Sequence, residues 1–229
     1  MRHHKRPIPC QEIWESAYNR FETPGQEVRK FLRRLKWAGA QRLPTNAKIL
    51  ELFCGRGNGI VAWEKLGFTN ILGLDISTPL LASAITNTDS AIVIQGNALY
   101  LPLVSSSMDV VSVHGGLHHL RSNEELIKVF KEVSRVLKPE GKFIMIEPWP
   151  TTFLNLVHIV SSLPVARCVS KKVDAFWTMT LHEWDEYFRW LSNSKAIRSL
   201  ISDYFDITLK KERWGKLMLV GVPRRDRPC

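Results

Sequence analysis

The chain has 229 residues, of which 45% are apolar and 24% charged. These are globular proportions, and they exclude disordered, collagen-like and low-complexity classes. The net charge of +10 is uneven: residues 1–44 carry +6 and residues 209–229 carry +5, which leaves 45–208 near −1. The two basic ends are either solvated faces or the places where nucleic acid or an anionic membrane would be met. Cys10, Cys54, Cys168 and Cys229 are far apart and form no CxxC, so reduced thiols are expected rather than a disulfide framework or a zinc site. The opening MRHHKRPIPC has charge but no apolar run behind it, unlike a signal peptide. Pro148–Ala166 is uncharged but broken by Pro150, Pro164 and several polar residues, so no membrane span is expected and the location expected is cytoplasmic.

Taken in chain order, Gln26–Trp37 reads as an amphipathic helix. Val28, Phe31, Leu32 and Leu35 point inward, and Arg29, Lys30, Arg33, Arg34 and Lys36 point outward. Short apolar runs follow at Lys48–Phe53, Ile71–Asp75, Ala91–Ile94, Asp109–Val113 and Lys142–Glu147; such runs suit strands covered on both faces. Thr78 and Pro79 open one intervening helix. Ser122 and Glu125 form a capping box ahead of the stripe Leu126, Val129, Phe130, Val133 and Leu137, and Pro139 and Gly141 stop that helix. Strands alternating with helices predict a parallel α/β sheet. Residues 151–194 read as irregular and aromatic. A helix near Lys195–Ser202 and a hairpin of Phe205–Leu209 with Leu217–Val222 close the chain.

The most specific motif is Ile49-Leu-Glu-Leu-Phe-Cys-Gly-Arg-Gly-Asn-Gly-Ile60, a strand leading through Gly55-x-Gly57-x-Gly59 into a helix. Glycines there let the backbone approach a ligand, and the helix start offers free N–H groups. Asp75 ends the next strand, 18 residues past Gly57, where a carboxylate can accept both hydroxyls of a ribose; it also suits a helix cap. A dinucleotide fingerprint asks for Gly or Ala where Ile60 stands, so NAD is disfavoured. Further on come Gly96-Asn97-Ala98, Leu101-Pro102, His114-Gly-Gly-Leu-His-His-Leu120, Arg135-Val-Leu-Lys-Pro-Glu-Gly141 and Glu147-Pro148.

With Glu51 four residues before the first glycine, this series resembles the class I S-adenosylmethionine-dependent methyltransferases, strongly over 45–148 and moderately over the final hairpin. Among them it is most similar to the small-molecule, quinone-type enzymes of the methyltransferase type 11 group. The resemblance implies a Rossmann-like mixed sheet of seven strands with helices on both faces and the last strand antiparallel. One domain is expected. It has an N-terminal helical segment (1–44), a cofactor-binding core (45–150), a cap insert over the substrate (151–194) and a closing helix and hairpin (195–229).

The resemblance also implies S-adenosylmethionine as cofactor. Gly55 and Gly57 lie under its methionine part, with Phe53, Arg56 and His114 beside it, and Glu51 holds its ammonium end. Asp75 takes the ribose hydroxyls, Ile76 packs on the adenine, and Asn97 and Ala98 flank the adenine amino group. Asn97 stands where the family has Asp, but its side-chain oxygen is still an acceptor. The reaction implied is in-line methyl transfer, in which the protein contributes binding and alignment. A hydroxyl acceptor wants a base, and His114, His118 and His119 are the candidates, with a structural role as their alternative. No third ligand accompanies the adjacent His118–His119 pair, so no metal is expected. Tyr18, Trp149 and Trp177 are the expected substrate wall, and Trp14, Arg20 and Phe21 are placed to close over the methionine end. The aromatic insert favours a small, partly apolar or aromatic acceptor. The basic ends favour RNA, although no RNA-binding motif is present. A non-catalytic binding module is the third reading, opposed by the intact glycine loop.

Overall fold

Strands buried on both faces organise the core of the molecule, a computed structural model that describes residues 10–224, without the side chains of 10–12, 14 and 15. The basic stretches 1–9 and 225–229 and the Trp14 side chain lie outside the described residues. Seven strands form one sheet: β1 (Ile49–Leu52), β2 (Ile71–Asp75), β3 (Ile92–Gln95), β4 (Met108–His114), β5 (Leu137–Pro148), β6 (Phe205–Arg213) and β7 (Lys216–Pro223). Their order is β3-β2-β1-β4-β5-β7-β6. The first five run parallel, and β7 lies antiparallel between β5 and β6. This is the expected Rossmann-like sheet with its reversed last strand.

The helices are α1 (Cys10–Phe21), α2 (Pro24–Trp37), α3 (Asn58–Glu64), α4 (Thr78–Asn87), α5 (Asn123–Val136), α6 (Thr152–Ser162), α7 (Pro164–Val169), α8 (Lys171–His182), α9 (Trp184–Ser192) and α10 (Ser194–Tyr204). Alternate strand residues feed two buried layers. Leu50, Leu52, Val111, Val113 and Phe143 pack beneath α5, α9 and α10. Ile49, Ile71, Val110, Ile144 and Val220 pack beneath α2, α3 and α4. Local chemistry sets the helix starts. Thr23 and Gln26 form a capping box with Pro24 at the first position of α2, two residues before the expected start. At α5, Ser122 Oγ accepts the Glu125 N–H, while the Glu125 carboxylate accepts from Arg121 N–H.

Three expectations change. Residues 151–194 are four helices rather than irregular chain. Thr151 and Ser170 cap α6 and α8, and Pro164, read as a break, occupies the first turn of α7. The stripe after Ser122 ends one residue early, because Leu137 already pairs with Met108; a register shift then brings Val110 opposite Lys142. β3, expected to be covered on both faces, is the sheet edge, and its Ile92 is 67% exposed.

Candidate active site

β1 delivers the chain into the glycine loop. Gly55 (φ +52°) and Gly57 (φ +82°) adopt left-handed conformations, and Gly57 sits at the start of α3. Gly59 answers a close approach instead, since a Cβ there would stand 2.2 Å from Glu51 Oε1. Asp75, at the end of β2, ties the loop down: one carboxylate oxygen accepts the Gly55 N–H (2.9 Å) and the other the Ser77 N–H (2.9 Å). Ile76 next to it is exposed. Asn97 uses its side-chain oxygen on the Leu99 N–H (2.9 Å), a local turn bond, and Ala98 is buried against the core.

A cavity of about 710 Å³ opens along the carboxyl edge of the sheet, and Glu51, Phe53, Gly55, Arg56 and His114 all line it. Asp75, Ile76, Asn97 and Ala98 are not in its lining; they lie at or just past the ends of β2 and β3, and of the four Asp75 bonds to the loop. Glu51 is buried. One of its oxygens receives Trp63 Nε1 (3.2 Å) and the Ser112 hydroxyl. The other lies 3.1 Å from His114 Nδ1, yet neither ring nitrogen of His114 makes a hydrogen bond. The His114 ring is stacked on Phe31, with centroids 4.5 Å apart.

A second carboxylate–imidazole pair lies one strand away. Glu147 is fully buried and accepts three hydrogen bonds: Gly116 N–H (2.8 Å), Leu117 N–H (2.8 Å) and His118 Nδ1 (2.8 Å). Burial opposes its charge, but His118 and the two N–H groups hold its carboxyl below the ordinary range. Burial likewise opposes the imidazolium, and Glu147 and Glu183 together hold His118 above its ordinary value. His118 Nε2 points towards Glu183 Oε2 at 3.9 Å. One donor atom each from His118, His119 and Glu183 lies within 4.8 Å of the others, so the fold supplies the third group that the sequence around the pair lacks.

The opposite wall comes from the N-terminal helices and the insert. Tyr18 lines the cavity, and its hydroxyl donates to Glu27, which also accepts from Asn58 (2.7 Å). Burial, then Glu27, raises the Tyr18 pKa. Arg56 donates to Asn19 (3.1 Å) across the mouth of the loop. Phe21 lines the cavity, whereas Arg20 pairs with Asp174 (3.1 Å). Lys30 and Arg34, expected on the solvent face of α2, instead line the cavity and flank the Phe31 ring. Burial brings Arg34 down to about 10. Burial, with Arg34 and Lys30 nearby, brings Lys216 down to about 7.

Two expected wall residues stand elsewhere. Trp149 is 1% exposed and belongs to the core, edge-on to Trp190. Trp177 faces Arg167 and Trp184. In a helix, neighbouring residues diverge by about 100°, so the wall position on α8 falls to Phe176 instead. Phe176, Tyr187, Glu183 and Lys216 also line the cavity and were not singled out as site residues; only the density of aromatics in the insert hinted at the first two.

Residues 50–145 match a family model described as a methyltransferase domain. A demethylmenaquinone methyltransferase from Bacillus licheniformis is 30% identical over 144 residues, 59% of this chain and 60% of that protein's length. A solved protein from Pyrococcus horikoshii superposes with a TM-score of 0.67 at 21% identity, covering 92% of this chain and 98% of its own. A putative S-adenosyl-L-methionine-dependent methyltransferase from Methanococcus maripaludis superposes with a TM-score of 0.64 at 15% identity, covering 100% and 99%.

Proposed function

We propose that the chain is a class I S-adenosylmethionine-dependent methyltransferase, and that it transfers a methyl group to a small, partly apolar or aromatic acceptor held in the cavity. One observation carries the reading. At the rim of the glycine loop, Glu51 and the two unpartnered ring nitrogens of His114 form a buried polar wall with hydrogen-bonding capacity to spare. Buried groups of this kind ask for a ligand. The space over Gly55 supports the same fit, since a Cβ there would touch nothing within 4 Å.

S-adenosylmethionine, when bound, supplies an electrophilic methyl group. The chain's own residues bind and align. Glu51 is the counter-charge for the ammonium end, Phe53, Gly55, Arg56 and Gly57 shape the floor, and Asp75 keeps lone pairs for the ribose hydroxyls beside its two backbone bonds. Ile76 offers an exposed apolar face to the adenine. Asn97 acts through the backbone of its turn, with Ala98 behind it. His114, at the tip of β4, faces the acceptor and is the group placed to take a proton from a hydroxyl. His118, locked by Glu147, is a positioning residue.

On this reading residues 10–44 and 151–194 close one methyltransferase unit, with Tyr18, Phe176 and Tyr187 as its acceptor surface. The name of the Bacillus licheniformis relative favours a small-molecule acceptor. The test is an untargeted one: purified chain, methyl-labelled S-adenosylmethionine and a cell extract. Label in the small-molecule or lipid fraction is expected. Label in RNA, lost when residues 225–229 are removed, would replace this reading with the nucleic-acid one.

A further inference from the structure

The cap insert presents an apolar face that extends beyond the cavity. On α6, Phe153, Leu156, Ile159, Val160 and Leu163 recur at helical spacing, and all are exposed. The stripe continues onto α7, where Val165 is 76% and Val169 83% exposed. Beside it, the β6–β7 turn sets an exposed Trp214 edge-on against Phe153, with centroids 4.9 Å apart, and Arg213 lies 4.9 Å from the Trp214 ring. Exposed aliphatic side chains are ordinary when scattered, but a continuous stripe marks an interaction surface.

The charge around the stripe identifies the occupant. No acidic residue occurs between Glu147 and Asp174; Arg167 lies within the stripe, and Lys171 and Lys172 follow it directly. We propose that α6, α7 and the β6–β7 turn form a docking surface for an anionic lipid bilayer, with the aliphatic stripe entering the interface and Lys171, Lys172 and Arg213 meeting the headgroups. Helices with an apolar face, a basic flank and interfacial aromatics lie in the plane of a membrane surface. Anionic lipid adds attraction for each nearby Lys or Arg. A second copy of the chain fits less well, because a two-fold contact through this patch would set the basic flank against itself. No described helix is long and apolar enough to cross a membrane, so the contact is with the surface alone.

The docking surface and the cavity share residues: Phe153, Leu156 and Val160 are exposed and also line the cavity. A docked molecule therefore opens its cavity towards lipid, and the acceptor class narrows to amphiphiles resident in the bilayer. That second step rests on the methyltransferase reading, while the docking itself does not.

Sedimentation of the full chain with vesicles tests the surface. Retention on phosphatidylcholine/phosphatidylglycerol vesicles is expected to exceed retention on pure phosphatidylcholine by about tenfold or more, and to fall with added salt. Val165→Asp with Val169→Asp, two surface positions outside the cavity lining, should lower it by about tenfold or more. Lys171→Gln with Lys172→Gln should weaken binding to the anionic vesicles selectively. Calorimetry with S-adenosylhomocysteine on the valine variant reports the cofactor site separately. If the wild-type chain fails to bind it, the methyltransferase reading falls and the vesicle result stands. Absence of vesicle binding, binding indifferent to the valine substitutions, or a stable dimer that those substitutions dissolve would overturn the proposal.

Discussion

Two buried carboxylate–imidazole pairs stand on either side of β4, and they are built to different ends. Glu147 spends its lone pairs on Gly116 N–H, Leu117 N–H and His118 Nδ1, with nothing left unsatisfied. Glu51 also anchors Trp63 and Ser112, but its second oxygen faces a histidine whose ring nitrogens have no hydrogen-bond partner. Both pairs are buried and adjoin the same cavity. The difference is completeness. A finished network fixes the Gly115-Gly116-Leu117 turn and so the end of β4, whereas the unfinished one is, on the function proposed above, the surface that receives the cofactor.

Substitution should separate the two most sharply at Glu147. Glu147→Gln leaves the shape but removes the charge that three donors share. Breaking a buried pair of this kind costs about 3–5 kcal/mol, and denaturant unfolding should show it. A loss below about 1 kcal/mol would mean the network is not the pin described. Glu51→Gln should do the reverse. Its amide oxygen still receives Trp63 and Ser112, so stability should change little. Removing the charge should cost the cofactor one charge-assisted contact, about 1.5–3 kcal/mol, or at least about tenfold in affinity. Equal losses of stability in the two variants would erase the distinction.

The smallest effect is in the pH dependence of stability. Glu147 is held below its ordinary 4.5, so its contribution is complete above that pH and is lost as acid carries the solution through the lowered value. His118 is held above its ordinary 6.5, so its contribution is present below that pH and is lost as pH rises through the raised value. The pair therefore stabilises most between 4.5 and 6.5. Unfolding free energies measured across pH should fall on both sides of that window in the wild-type chain, and His118→Gln should flatten the alkaline side. An unchanged alkaline limb would place the charge elsewhere.

How much of this was legible in the sequence depended on whether a role is set locally. Gly55, Gly57 and Asp75 announce themselves because a strand, a tight turn and a helix start leave few residues that fit; both glycines are left-handed, and Asp75 accepts the Gly55 N–H. Lys30 and Arg34 were misread because a basic residue on an amphipathic helix looks solvent-facing until another element covers it; here the insert and Lys216 turn that face into a cavity wall. Trp149 and Trp177 failed as wall residues for a related reason. Aromatic density says that a region is packed, but only helical phase and tertiary contact decide between Phe176 and its neighbour. Glu147 was visible as the end of a strand, yet its partners lie 29 to 31 residues away and appear only once β4 and β5 pair.

Calorimetry of wild-type chain and Glu51→Gln against S-adenosylhomocysteine, with NAD as the control ligand, tests the unfinished pair most directly. The expected result is saturable binding of S-adenosylhomocysteine to the wild-type chain, binding weakened at least about tenfold in the folded variant, and no heat from NAD. Binding of NAD without S-adenosylhomocysteine, or equal affinity in the two chains, would contradict it.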